Sequence, residues 1–164
     1  MFLQKKHLLN GFLLLIPIFI WNIALYKHLP KAFSAEVFWK DIPPIISYGE
    51  NIFRILVFAL PAFMMLSFKS SKKKRGLLIY LVGICIYFLS WLLLILYPES
   101  SWSNSLVGFT APAFTTIIWF IGIGVMGNKA YFKIPKLTAT YIVLSLIFVV
   151  FHTLHTYVVY TRLD

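Results

Sequence analysis

Seven residues, Lys69-Ser70-Ser71-Lys72-Lys73-Lys74-Arg75, lie between two long apolar runs. Positive charge resists translocation, so a basic segment free of acids marks the cytoplasmic side of any membrane that its flanking runs cross. Every other placement along the chain follows from this one. The remaining apolar runs fall into register with it, giving spans at about 8–26, 51–68, 77–97, 106–126 and 137–160. Each is close to the roughly 20 residues that a helix needs to cross the hydrocarbon layer.

The charge distribution tests this layout. The N-terminal tail and the basic loops 69–76 and 127–136 then share one side. They carry Lys5, Lys6, Lys69, Lys72, Lys73, Lys74, Arg75, Lys129, Lys133 and Lys136, with no acid among them. Glu36, Asp41, Glu50, Glu99 and Asp164 all fall on the other side. The expected fold is an all-α integral membrane protein: five transmembrane helices in a bundle, N-terminus cytoplasmic and C-terminus external. The external loop 27–50 mixes Phe33, Phe38 and Trp39 with charges, and Pro43-Pro44 closes it, which suits a short interfacial helix. The whole chain, 1–164, reads as one membrane domain.

Composition agrees. Only 12% of residues are charged and 60% are hydrophobic, whereas a soluble domain carries about 25% charged residues to form its polar skin. The net charge of +10 does not point to nucleic acid, because the basic residues sit at helix ends. Anionic lipid headgroups at the cytoplasmic face are the better partners. The single Cys85 lies inside an apolar run, which excludes a disulfide framework and any paired-cysteine metal or redox motif. The layout matches a multi-pass protein of a bacterial cytoplasmic membrane. An odd span count argues against two inverted halves, so internal symmetry would need a homodimer; a partner membrane subunit is the other option.

Residues three and four apart share a helix face. On the last span Thr138, Tyr141, Ser145, Phe148, His152 and His155 form one such stripe; on the third, Tyr80, Gly83, Tyr87, Ser90, Leu94 and Tyr97 form another. The fourth offers a face of mostly small residues, Gly108, Ala111, Thr115, Ile118, Gly122 and Val125. Polar groups are costly against hydrocarbon, so these faces should turn inward, and the small one should admit a close neighbour. Pro17, Pro61 and Pro112 each remove a backbone donor and could kink their spans.

Depth adds a second constraint. Asn22, Arg54, Ser90, Thr110 and His152 come from five different spans, yet all fall in the external third. The candidate ligand-binding residues are therefore Arg54, His152, His155, Glu50, Asn22, Ser90 and Thr110, with Tyr87, Trp91 and Tyr97 as apolar walls. Glu50 lies one turn before Arg54, which favours an i, i+4 ion pair. Alternatively Arg54 faces the cavity and takes an anionic group.

His152-x-x-His155 could share a proton or a metal, but two ligands do not make a zinc site and no metal is expected. No haem or other cofactor is expected, because no second interior histidine faces these from another span. As candidates for catalysis, His152 or His155 could serve as a base for Thr110, Thr115, Ser90 or Thr153. The reading this supports is a small membrane protein binding an apolar or amphipathic, lipid-like molecule in the outer-leaflet half of the bundle, or an accessory subunit. The alternative is an intramembrane enzyme acting on a lipid with a histidine general base.

Overall fold

The structure, a computed structural model, describes residues 9–163. Lys5, Lys6 and His7 of the basic tail lie outside the described residues. The helices are α1 (Ile16–Leu25), α2 (Ala35–Phe38), α3 (Pro44–Ala59), α4 (Ser71–Leu96), α5 (Leu106–Phe114), α6 (Thr116–Met126) and α7 (Leu137–Tyr160). Two short strands, β1 (Met64–Leu66) and β2 (Gly127–Ala130), complete the elements used below. Among the described residues, five helical segments are long and apolar enough to cross a membrane: Gly11–His28, Pro44–Phe63, Ser71–Leu96, Leu106–Met126 and Leu137–Tyr160.

Several boundaries differ from those expected, each for a local reason. The second span starts at Pro44, where a proline in the first turn loses no hydrogen bond. Glu50 is therefore inside α3 and not in the loop 27–50. The same logic removes Pro17 as a kink, because it sits in the first turn of α1. At the other end of α3, Pro61 tightens the chain into a 3-10 turn over Leu60–Phe63. The backbone then extends into β1, which pairs antiparallel with β2, Met64 opposite Ala130. The bundle is thus not wholly α: part of the second span and part of the loop 127–136 form this ribbon.

Much of the basic segment is helical. The Ser70 side chain accepts from Lys73 N at 3.3 Å and starts α4 there. Three cations in the first turn, Lys72, Lys73 and Lys74, oppose the helix dipole. Lys73 offsets this by donating to Val125 O at 2.9 Å and to Gly127 O, the free carbonyls that end α6. The fourth span is split into α5 and α6 at Thr115. Pro112 has no N–H to give to Gly108 O, and just beyond it the Thr115 and Thr116 hydroxyls bond back to Ala111 O and Ala113 O, both at 2.7 Å.

The inward stripes are as expected. Tyr141, Ser145, Phe148 and His155 on α7, and Tyr80, Gly83, Tyr87, Ser90 and Leu94 on α4, are buried, while Tyr97 is exposed. Leu78, Leu81 and Leu89 on the opposite face of α4 are exposed, as a lipid-facing surface requires. α4 and α6 make the most extensive pairing, followed by α3 with α7. The α4–α6 approach depends on two glycines. A Cβ on Gly83 would lie 2.5 Å from Trp119 N, and one on Gly122 would lie 2.5 Å from Tyr80 N. By contrast, the first span is held largely by rings and hydroxyls: Trp21 of α1 stacks on Phe88 at 4.1 Å, and Tyr80 Oη donates to Leu14 O, just before α1, at 2.6 Å.

The loop before α3 folds back over one end of the bundle. Phe33 stacks on Phe109 at 4.6 Å and meets the edge of Trp91 at 4.9 Å. Phe38, Phe109 and Val159 close a second small core beneath it. The loop that carries α2 thus covers this end of the bundle through Phe33 and Phe38.

Candidate functional site

At that covered end, a carboxylate from α3 meets two imidazoles from α7. Glu50 is fully buried. Its Oε1 receives Arg54 Nη2 and, at 2.8 Å, His152 Nδ1. Its Oε2 meets His155 Nδ1. The i, i+4 spacing of Glu50 and Arg54 and the i, i+3 spacing of the histidines put each pair on one face of its helix. The close α3–α7 packing then brings the two faces together.

Around this core the partners are specific. His155 Nε2 donates to Phe38 O at 2.8 Å, and its ring stacks on Phe38 at 4.1 Å with Trp39 edge-on at 4.6 Å. Arg54 Nη1 donates to Asn51 Oδ1 at 3.2 Å, and its guanidinium carbon lies 5.2 Å from the centre of the Trp39 ring, a cation–π distance. His152 stacks on Phe148 at 5.4 Å. With Nδ1–H of His152 donated to the carboxylate, its Nε2 is left as the free acceptor.

His152 also forms part of the wall of two cavities. One, about 230 Å³, is lined by Trp21, Asn22, Leu25, Phe33, Phe38, Tyr87, Trp91, Pro112 and Thr156 among others. The other, about 450 Å³, runs between α1 and α3 and is lined by Phe19, Asn22, Arg54, Phe58, Tyr87, Thr116, Trp119 and Phe148 among others. Asn22, Tyr87 and His152 are common to both. Tyr87 Oη donates to Asn22 Oδ1 at 2.7 Å, bridging α4 to α1 between them.

The expected residues thus divide. Arg54, His152, Asn22, Tyr87 and Trp91 line the cavities. Glu50 and His155 sit behind the wall and position His152 and Arg54. Ser90 donates to Tyr87 O at 2.7 Å within its own helix and lines neither cavity. Thr110 likewise donates to Leu106 O at 2.7 Å within its own helix and lines neither cavity. Thr115 is committed in the same way to Ala111 O. Tyr97 is exposed beyond the end of α4 and lines neither cavity.

Sequence reasoning missed Phe38, Trp39, Trp119 and Thr156. Trp119 lies four residues after Thr115 and three before Gly122, on the small-residue face, but a large ring does not register in a reading built on small side chains, and Phe38 and Trp39 belong to a loop with no periodic signal. The only pointer to the latter was the density of aromatic residues there. Among the described residues, no cluster of three or more metal-ligating side chains is arranged to hold an ion. No family model, no curated protein and no solved structure matches the chain.

Proposed function

We propose that this is a multi-pass membrane protein that binds an apolar or amphipathic, lipid-like molecule in the paired cavities beside Glu50, Arg54 and His152. The supporting observation is the position of His152. It is held by a buried carboxylate on one side and opens onto two largely apolar cavities on the other. Such a site has an apolar body and a few convergent polar groups, the usual form of a small-molecule pocket. In this reading the basic end faces the cytoplasm and anionic headgroups, and the covered end with the site lies in the external leaflet.

Native mass spectrometry of protein extracted in a mild detergent tests the binding. An amphiphile should co-purify with the wild type and be depleted in His152→Ala, while Leu78→Ala on the exposed face of α4 retains it. Wild-type protein carrying no amphiphile would overturn the reading, as would equal retention by His152→Ala.

A second reading has support from one feature. A histidine whose Nδ1–H is fixed by a carboxylate presents Nε2 as a base, the arrangement used in general base catalysis. Wild-type protein incubated with a lipid extract would then consume one species, and His152→Ala would not.

A further inference from the structure

We infer that the occupant of these cavities is an amphiphile with an anionic head, a phosphate or carboxylate, seated against Arg54 and the Asn22–Tyr87–His152 wall. The inference rests on the binding reading above and adds the sign of the head.

His155 is fully buried and lies between two acceptors, the Phe38 carbonyl at Nε2 and the Glu50 carboxylate at Nδ1. Each gap needs a hydrogen, since two lone pairs facing one another at that separation repel. A neutral imidazole supplies only one. The second proton must reside on the pair, whether nearer to His155 or to Glu50, and in either case the pair is neutral overall. The bond from His152 needs only the single hydrogen of a neutral ring. Arg54 is always charged, so the cluster as a whole holds one positive charge without a counter-ion. Among the described residues, no carboxylate other than Glu50 pairs with Arg54, His152 or His155. Arg54, whose side chain is 34% exposed, presents this charge at the wall of the larger cavity, where an anion can meet it.

The cavity walls hold acceptors, the Nε2 of His152 and the hydroxyl oxygens of Tyr87, Thr116 and Thr156, and beside them several N–H donors. Arg54 has more N–H groups than its two acceptors use. Trp119 is 1% exposed and its Nε1–H has no partner, and it lines the same cavity as Arg54. Trp21 in the other cavity also has a buried, unpartnered Nε1–H. Asn22 accepts from Tyr87 through Oδ1, which leaves its amide hydrogens free to donate. Buried donors without acceptors are unfavourable until something fills the role. An oxygen-rich anionic head supplies several acceptors at once, and an alcohol or amide head supplies fewer. The apolar remainder of both cavities accommodates its chains.

The tryptophans provide the readout. The protein in phosphatidylcholine nanodiscs is titrated with phosphatidic acid or diacylglycerol whose chains carry bromine, a quencher of tryptophan fluorescence. Hydrogen bonds to charged groups are worth about 1.5–3 kcal/mol, so half-quenching by phosphatidic acid is expected at a mole fraction roughly ten- to hundredfold lower than by diacylglycerol. Arg54→Gln should erase the difference, and Arg54→Lys, which keeps the charge, should keep most of it. Inorganic phosphate should not reverse the quenching, since it lacks the chains.

Equal quenching by both lipids would overturn the anionic head and leave the binding reading standing. Saturable quenching by neither would overturn both. Full reversal by inorganic phosphate would mean that the site takes a free anion, which also overturns a lipid occupant. Should Arg54→Gln fail to fold, equal potency of the two lipids against Arg54→Lys, folded as judged by its helical circular dichroism, overturns the inference as well.

Discussion

At the residue scale, Glu50 has the largest effect for its size. It is a fully buried carboxylate that accepts from three side chains on two helices. Glu50→Ala leaves the Arg54 guanidinium with Asn51 Oδ1 as its remaining acceptor and takes the shared partner away from both imidazoles. Removing one partner of a buried ion pair costs about 3–5 kcal/mol, and a loss of that order is expected in reversible unfolding in mixed micelles. A loss under about 1 kcal/mol would mean that water already reaches the cluster.

The two histidines were legible in the sequence because spacing alone puts them on the inward face. Glu50 was legible as the partner of Arg54 but was misplaced in the loop. A charge beside an apolar run reads as the end of a span, and only the Pro43-Pro44 start shows that the helix begins earlier. Trp39 was unreadable as a site residue, because its role depends on how the loop folds back onto α3 and α7.

At the scale of the elements, α4 against α6 is the packing decision on which the bundle depends. Gly83 and Gly122 each bring a backbone onto the neighbouring helix at a separation that excludes a methyl group. Gly83→Ala and Gly122→Ala should each destabilise by about 1–3 kcal/mol through overpacking, measured as a lower midpoint of thermal unfolding in detergent. Gly124→Ala is the control, since its added Cβ would meet side-chain atoms of Ile142 and Tyr141 at 3.1 Å and no backbone atom closer than 3.6 Å. Its loss should be the smallest of the three.

The small face of the fourth span had signalled a close approach correctly, although it could not say to which helix. The break at Thr115 and the ribbon of β1 with β2 were not legible. Pro112 and Pro61 look alike in the sequence, yet one sits inside α5 just before the break at Thr115, and the other ends a helix in extended backbone.

At the scale of the molecule, the described acids gather at one end. Lys69, Lys72, Lys74, Arg75, Lys129, Lys133 and Lys136 lie where β1, β2 and the start of α4 lie, while Glu36, Asp41, Glu50 and Glu99 lie toward the other end together with Lys27, Lys31, Lys40, Arg54 and Arg162. The proposed orientation can be measured with Cys85 replaced by Ser. A cysteine at exposed Ser71 should resist an impermeant thiol reagent in whole cells until the membrane is opened, and one at exposed Ser101 should react at once. The reverse pattern would invert the assignment of sides and move the site to the inner leaflet.

One carboxyl group joins α3, α7 and, through His155, the covering loop at Phe38. Substitutions at Glu50, Arg54, His152 and His155 therefore draw on a common reserve of free energy, and their losses overlap where they share it. The second change in any pair should do far less harm than the first. A scan that altered these positions singly and added up the damage would credit the cluster with more than it holds.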